Sequence, residues 1–168
     1  MRPDVEHKAL GPRQVRCFVL TVSDTRTEDT DSGGNSIVEL LTAHGHLVTG
    51  RAIVKDEPTL VRETILRERE RGDAQVVITT GGTGITSRDG TYEAVVSLLD
   101  KELPGFGELF RMLSYQEIGS AAMMSRATAG LAGRCIVAAL PGSESAVRLA
   151  MEKLLIPELA HLVQQANR

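Results

Sequence analysis

Four short apolar runs, each followed at once by polar or glycine-rich residues, constrain this chain more than any other feature. They are VRCFVLTV (15–22), LVTGRAIV (47–54), AQVVITT (74–80) and CIVAAL (135–140). The first, third and fourth are continuously apolar rather than alternating, as expected of strands covered on both faces in a parallel sheet. Segments with helical spacing lie between them. Ile37, Val38, Leu40 and Leu41 form one stripe, and Leu60, Val61 and Ile65 another after Pro58. Ala94, Val95, Leu98 and Leu99 form a third, with Thr91 as its expected N-cap. Ser143 is placed to cap a fourth helix, and Pro157 to break it and start a last one. The alternation predicts an α/β fold, a three-layer α/β/α sandwich with a mainly parallel sheet.

Residues 1–14 read as a flexible leader and 15–168 as a single domain, since 168 residues suit one domain better than two. The stretch 100–133 reads as an irregular insertion, too long for a plain connection. With a net charge of −3 and 3% aromatic residues, the chain has no broad electrostatic grip or stacking platform for nucleic acid. No apolar run spans a bilayer, and the N-terminus lacks the apolar core of a secretion signal, so a cytoplasmic location is expected. Cys17 and Cys135 fall in strand-like runs and read as small buried hydrophobes. His7, His44, His46 and His161 are scattered, with no metal-ligand spacing.

The chemistry-bearing residues collect after the strands. The first strand ends in Ser23-Asp24, the second before Lys55-Asp56-Glu57, the third in Gly81-Gly82-Thr83-Gly84 and then Ser87-Arg88-Asp89, the fourth in Pro141-Gly142-Ser143. In an open parallel sheet these carboxyl ends emerge on one edge, where ligands bind at the switch in strand order. Three glycines in four positions let backbone approach a ligand, and successive N–H groups can cradle an anion. On that argument a side chain at Gly82 should block the ligand and leave the fold intact. The pattern matches neither the dinucleotide fingerprint nor a P-loop. Asp56 and Asp89 are the candidates to hold Mg²⁺ against phosphates; the competing reading makes each a helix cap, near Pro58 and Thr91 respectively. Within the insertion, Arg111 either forks a phosphate or pairs with Glu108 one turn away; Ser114 lies nearby. Ser125-Arg126 is either a phosphate-binding pair or a polar turn.

The motifs LTVSDTR (20–26), TTGGTG (79–84), SRDGTYEA (87–94), PGFGELFRMLSYQEIGS (104–120), SRATAGLAG (125–133) and ALPGS (139–143) resemble, in order, those of the MoaB/MogA family of molybdenum-cofactor biosynthesis proteins. Related domains occur in gephyrin. RMLSYQEIGS is most similar to the MoaB branch. The resemblance covers residue 15 to the C-terminus. It implies a homo-oligomer, trimer or hexamer, that binds the pterin molybdopterin. In active members it implies Mg²⁺-dependent adenylylation of molybdopterin by ATP, with Asp56 and Asp89 serving the reaction and a metal-insertion partner receiving the product. Gly81, Gly82, Thr83 and Gly84 would lie in the nucleotide and pterin site, with Ser23, Asp24, Gly142 and Ser143 near it. A non-catalytic pterin-binding carrier is the alternative. Three positions depart from the usual family pattern: Lys55 and Tyr92 stand where proline is common, and Glu144 puts a negative charge where proline often follows Pro-Gly-Ser, an expected weakening of ligand binding.

Overall fold

A computed structural model describes residues 11–168. Six strands form one sheet: β1 (Arg16–Val22), β2 (Leu47–Val54), β3 (Val76–Thr80), β4 (Lys101–Glu102), β5 (Thr128–Ala132) and β6 (Cys135–Leu140). Their order is β2-β1-β3-β6-β5-β4. The four strands expected from the sequence, β2, β1, β3 and β6, pair in parallel. β5 and β4 add an antiparallel edge. The reading of 100–133 as irregular is therefore corrected. The stretch holds these two strands, a fifteen-residue helix and a 3-10 segment. β5 escaped notice because Thr-Ala-Gly-Leu-Ala offers almost no bulky residue to mark a strand. It joins β6 through the two-residue loop Gly133-Arg134, where Gly133 takes φ +65°.

Among the described residues six α-helices cover the sheet: α1 (Ser32–Ala43), α2 (Pro58–Arg71), α3 (Thr91–Val96), α4 (Pro104–Ile118), α5 (Glu144–Ala150) and α6 (Ile156–Ala166). The continuous apolar strands feed two cores by alternation. Cys17 and Val19 of β1, Val76 and Ile78 of β3, and Ile136, Ala138 and Leu140 of β6 meet α1, α4, α5 and α6 on one face. Phe18, Leu20, Val22, Val77, Cys135, Val137 and Ala139 meet α2 and α3 on the other. This is the expected three-layer sandwich. Cys17 and Cys135 face opposite cores, and both are free and buried. Burial pushes the thiols up to about 12 and about 11 respectively.

Two local expectations are revised. Pro157 does not break the chain between α5 and α6, because a π-helical turn, Met151–Leu155, carries one helix into the next. Proline has no N–H for the carbonyl four residues back, and the wider turn absorbs that loss. Thr91 is the first residue of α3 rather than its cap, which is Gly90. Ser143 caps α5 as expected, its hydroxyl accepting from the Ala146 N–H. Of the expected leader, 1–10 lie outside the described residues. Gly11 lies so close to the α6 backbone that a Cβ there would come 2.9 Å from the Ala160 carbonyl carbon. Among the described residues no helix is long and apolar enough to cross a membrane.

Candidate functional site

The connections from β1 and β3 leave the sheet in opposite directions, β1 toward edge strand β2 and β3 toward β6. At this switch the carboxyl ends open into a crevice of about 370 Å³. All four predicted loops reach it: Ser23 and Asp24 after β1, Asp56 after β2, Gly81, Gly82 and Asp89 after β3, and Gly142 after β6.

Each loop has a local reason for its shape. Ser23 Oγ accepts the N–H groups of Thr25 (3.2 Å) and Arg26 (3.0 Å), turning the chain after β1. Asp24 Oδ1 accepts the Asp56 N–H at 3.1 Å and so ties the first two loops together. After β3, Gly81 and Gly82 adopt φ +96° and +69°, in the left-handed region. The Gly81 N–H donates to the Leu140 carbonyl at 3.0 Å. Among the described residues, the N–H groups of Gly82, Thr83 and Gly84 have no protein acceptor, as an anion cradle requires; Gly82 lines the crevice, whereas Thr83, Gly84 and Ser143 do not.

Asp56 and Asp89 share the crevice, and neither is a cap. The cap of α2 is Glu57 and that of α3 is Gly90, neither with a side-chain cap bond. Asp56 is 7% exposed, and its carboxylate receives only a 3.4 Å approach from the Gly90 N–H. Asp89 Oδ2 accepts from the N–H (2.9 Å) and the hydroxyl (2.6 Å) of Thr86. Burial raises the Asp56 pKa above its usual value; the Gly90 N–H opposes this, and the charges of Asp89 and Asp24 add to it. Asp24 is held below its usual value, first by the Arg88 guanidinium and then by the Asp56 N–H.

Among the described residues, no three His, Cys, Asp or Glu side chains converge into a metal cage. Two carboxylates beside a glycine loop instead suit Mg²⁺, which binds through one or two protein carboxylates plus substrate phosphates. Asp56 has lone pairs to spare, and beside it the Thr91 Oγ1 is fully buried without a partner. A divalent cation needs Asp56 ionised. Mg²⁺ held there would therefore be lost, on acidification, at a higher pH than an ordinary aspartate would give. Asp89→Asn should move that loss to lower pH, which Mg²⁺ titrations across a pH series would read. The raised pKa also means the folded chain holds this proton more tightly than the unfolded chain. Its stabilising effect is present below the unfolded pKa and lost as pH rises through the folded one.

The other predicted residues divide. Arg126 lies beneath the glycine loop, donating from Nε to the Thr83 carbonyl (3.0 Å) and from Nη2 to the Gly84 carbonyl (2.6 Å). It also pairs with Glu93 and stacks on the Tyr92 ring at 4.8 Å. It braces the cradle, a role that neither alternative from the sequence included. Glu108 and Arg111 line a separate hollow of about 130 Å³ with Tyr92 and Thr128, and they form no ion pair. Ser114 is buried in α4, and Ser125 ends the 3-10 segment. None of these four lines the crevice. Glu144 turns away from it: its Oε1 accepts from Ser36 Oγ (3.2 Å) and Arg148 Nε (3.3 Å), so the expected weakening of ligand binding has no structural support.

Gly82 requires a correction. A Cβ there would collide with the Thr91 hydroxyl and come 2.8 Å from Asp56 Oδ2, on a backbone of φ +69°. Gly82→Val therefore disturbs the loop itself and is expected to cost about 2–3 kcal/mol, from left-handed strain plus overpacking. Thermal melts against wild type would measure it; an unchanged midpoint would leave obstruction of the ligand as the glycine's only role.

Sequence reasoning left three charged crevice residues unassigned, Arg26, Arg88 and Asp31. Arg88 forks Asp24, and Asp31, buried at the start of α1, lines the wall. Asp31 had a readable signal, an acidic residue three positions before Gly34 at a helix start. Arg88 had none, since its partner is 64 residues away.

A doubly wound α/β domain whose strand switch carries a glycine loop and two carboxylates has an architecture suited to phosphorylated small molecules. Residues 18–161 match the model of a family described as a probable molybdopterin binding domain. The molybdenum cofactor biosynthesis protein B of Bacillus cereus is 54% identical over 164 residues, 97% of each chain. A crystal structure of a molybdenum cofactor biosynthesis protein B superposes with TM-score 0.91 at 54% identity, over 94% of this chain and 98% of that one. The tungsten cofactor synthesizing protein MoaB from Pyrococcus furiosus superposes with TM-score 0.83 at 40% identity, covering 94% and 99%. The chain belongs to the molybdopterin-binding-domain family of molybdenum cofactor biosynthesis proteins.

Proposed function

We propose that the chain binds molybdopterin at the strand-switch crevice and adenylylates it with Mg–ATP, preparing it for metal insertion. The observation that carries this reading is the meeting of Asp56 and Asp89 with a glycine loop whose Gly82, Thr83 and Gly84 N–H groups lack protein acceptors among the described residues, in a family of molybdopterin-binding domains. An oxygen of the pterin phosphate attacks the α-phosphorus of ATP. The bond from that phosphorus to the bridging oxygen of the β-phosphate breaks, and pyrophosphate leaves. Mg²⁺ supplies charge neutralisation for the phosphates. The chain's contribution is positioning and electrostatics. The cradle N–H groups orient phosphate oxygens, Asp56 and Asp89 hold the cation, and Arg126 keeps the cradle rigid.

Incubating the chain with molybdopterin, ATP and Mg²⁺ and following pyrophosphate tests the proposal. Release that needs all three supports it. Tight pterin binding with no nucleotide consumed makes the chain a carrier instead, and no pterin binding rejects both readings. The product would pass to a metal-inserting partner.

We also infer a homo-oligomer, a trimer or hexamer. Leu109, Met112, Tyr115 and Ile118 expose a stripe along α4, which Met123 and Met124 extend. A contiguous apolar face of this kind marks a protein contact. Met112→Glu would place a charge in that contact, and sedimentation should show a shift to smaller species at the concentrations where wild type is assembled. An unchanged distribution removes α4 from the interface.

A further inference from the structure

Arg88 is a cation in the crevice to which the proposed reaction gives no task. It sits on the exposed stretch between the glycine loop and α3. Its Nε donates to Asp24 Oδ2 at 2.9 Å and its Nη2 to Oδ1 at 3.1 Å, with Glu57 3.9 Å from Nη2. One guanidinium thus bridges the loops after β1 and β3, the two that diverge at the strand switch. Asp24 and Arg88 side chains are 38% and 57% exposed, so the pair adds little to stability. A second partner also anchors Asp24, the Asp56 N–H.

Among the described residues, the crevice lining carries four carboxylates, Asp24, Asp31, Asp56 and Asp89, against two guanidiniums, Arg26 and Arg88. Arg26 is spent on its own loop, donating to the Thr30 carbonyl at 2.7 Å. Arg88 is therefore the lining guanidinium held by exposed carboxylates, on an exposed loop that contributes no residue to either core. The fork that grips a carboxylate fits two phosphate oxygens equally well, and phosphate carries more charge.

We infer that Arg88 is a phosphate-binding residue of this site, parked on Asp24 until a di- or triphosphate draws it away, so that Asp24 competes with the ligand for the same guanidinium. The inference rests on the nucleotide reading of the crevice. Its consequence is unusual for a site residue: removing Asp24's charge should tighten binding, and only while Arg88 is present.

The test is titration calorimetry of the full chain with inorganic pyrophosphate in Mg²⁺, for wild type, Arg88→Gln, Asp24→Asn and the double variant. Arg88→Gln should weaken binding tenfold or more, and Asp24→Asn should tighten it severalfold. In the Arg88→Gln background the Asp24→Asn gain should vanish. Equal gains with and without Arg88 would mean general relief of negative charge, and would overturn the latch. So would wild-type affinity in Arg88→Gln. Either result beside intact ATP turnover in wild type leaves the function reading standing. A wild-type chain that neither binds pyrophosphate nor consumes ATP removes both.

Discussion

Asp56→Asn is expected to slow the proposed molybdopterin-dependent release of pyrophosphate by about 10²–10³-fold while leaving the melting temperature equal to or above that of wild type. The rate loss corresponds to about 3–4 kcal/mol of transition-state charge stabilisation, the scale set by removing one preorganised electrostatic contact. The retained stability follows from the ground state. The Asp56 carboxylate is buried, weakly hydrogen-bonded and repelled by Asp89 and Asp24, so its charged form is disfavoured in the folded chain. Asparagine keeps the shape, can still accept from Gly90, and removes the repulsion. A residue whose charge the fold resists and the proposed reaction needs would mark a site kept for function at some expense to stability. Asp89→Asn should cost comparable turnover, with a small stability loss, because Thr86 already satisfies that carboxylate. Pyrophosphate release under saturating ATP, alongside melts of the same samples, separates the two effects. Wild-type turnover in Asp56→Asn would remove the aspartate from the reaction.

The edge on which the site lies was readable because two regularities coincide. β1, β3 and β6 need apolar residues on both faces, so each strand is a visible block, and whatever follows each block emerges on the same edge. Asp56, Asp89, Gly81, Gly82 and Gly142 meet in one crevice, as an argument from strand ends alone expects, whereas Thr83, Gly84 and Ser143 do not line it. What could not be read depends on partners far apart in the chain. Arg126 reaches back 43 residues to the Thr83 carbonyl and Arg88 reaches 64 to Asp24. A guanidinium's five donors suit phosphate, carbonyl or carboxylate alike, so residue type alone cannot choose among them. Glu108 and Arg111 illustrate the same limit: helical spacing permitted a pair that the structure does not make. The two missed strands fail for a different reason, since β4 has two residues and β5 is built of small ones.

Asp31→Ala should do the reverse of Asp56→Asn, unfolding the chain readily without touching the reacting groups. Asp31 is 2% exposed and serves three donors at once. Thr21 Oγ1 donates to it at 2.6 Å, the Gly34 N–H at 2.9 Å and Arg51 Nη2 at 2.9 Å. These tie the end of β1, the first turn of α1 and edge strand β2 to one carboxylate. Alanine removes a helix cap worth about 1 kcal/mol. It also strands the buried Thr21 hydroxyl at about 1–3 kcal/mol, and leaves Arg51 with only the Asn35 side chain at 2.8 Å. The terms share partners and do not simply add, so the expected loss is about 3–5 kcal/mol, the range for breaking a buried pair. At about 2–4 °C per kcal/mol for a chain of this size, the midpoint should drop by roughly 10 °C. Arg51→Gln offers the contrast: Asp31 keeps its other two donors, and the loss should be about 1 kcal/mol. If Asp31→Ala melts with the wild type, the carboxylate is not holding these elements together, and its place in the crevice wall would point to a ligand instead. Two buried aspartates in one crevice thus separate by their partners, since the one with three donors holds the fold and the one with a single weak donor is left free for chemistry.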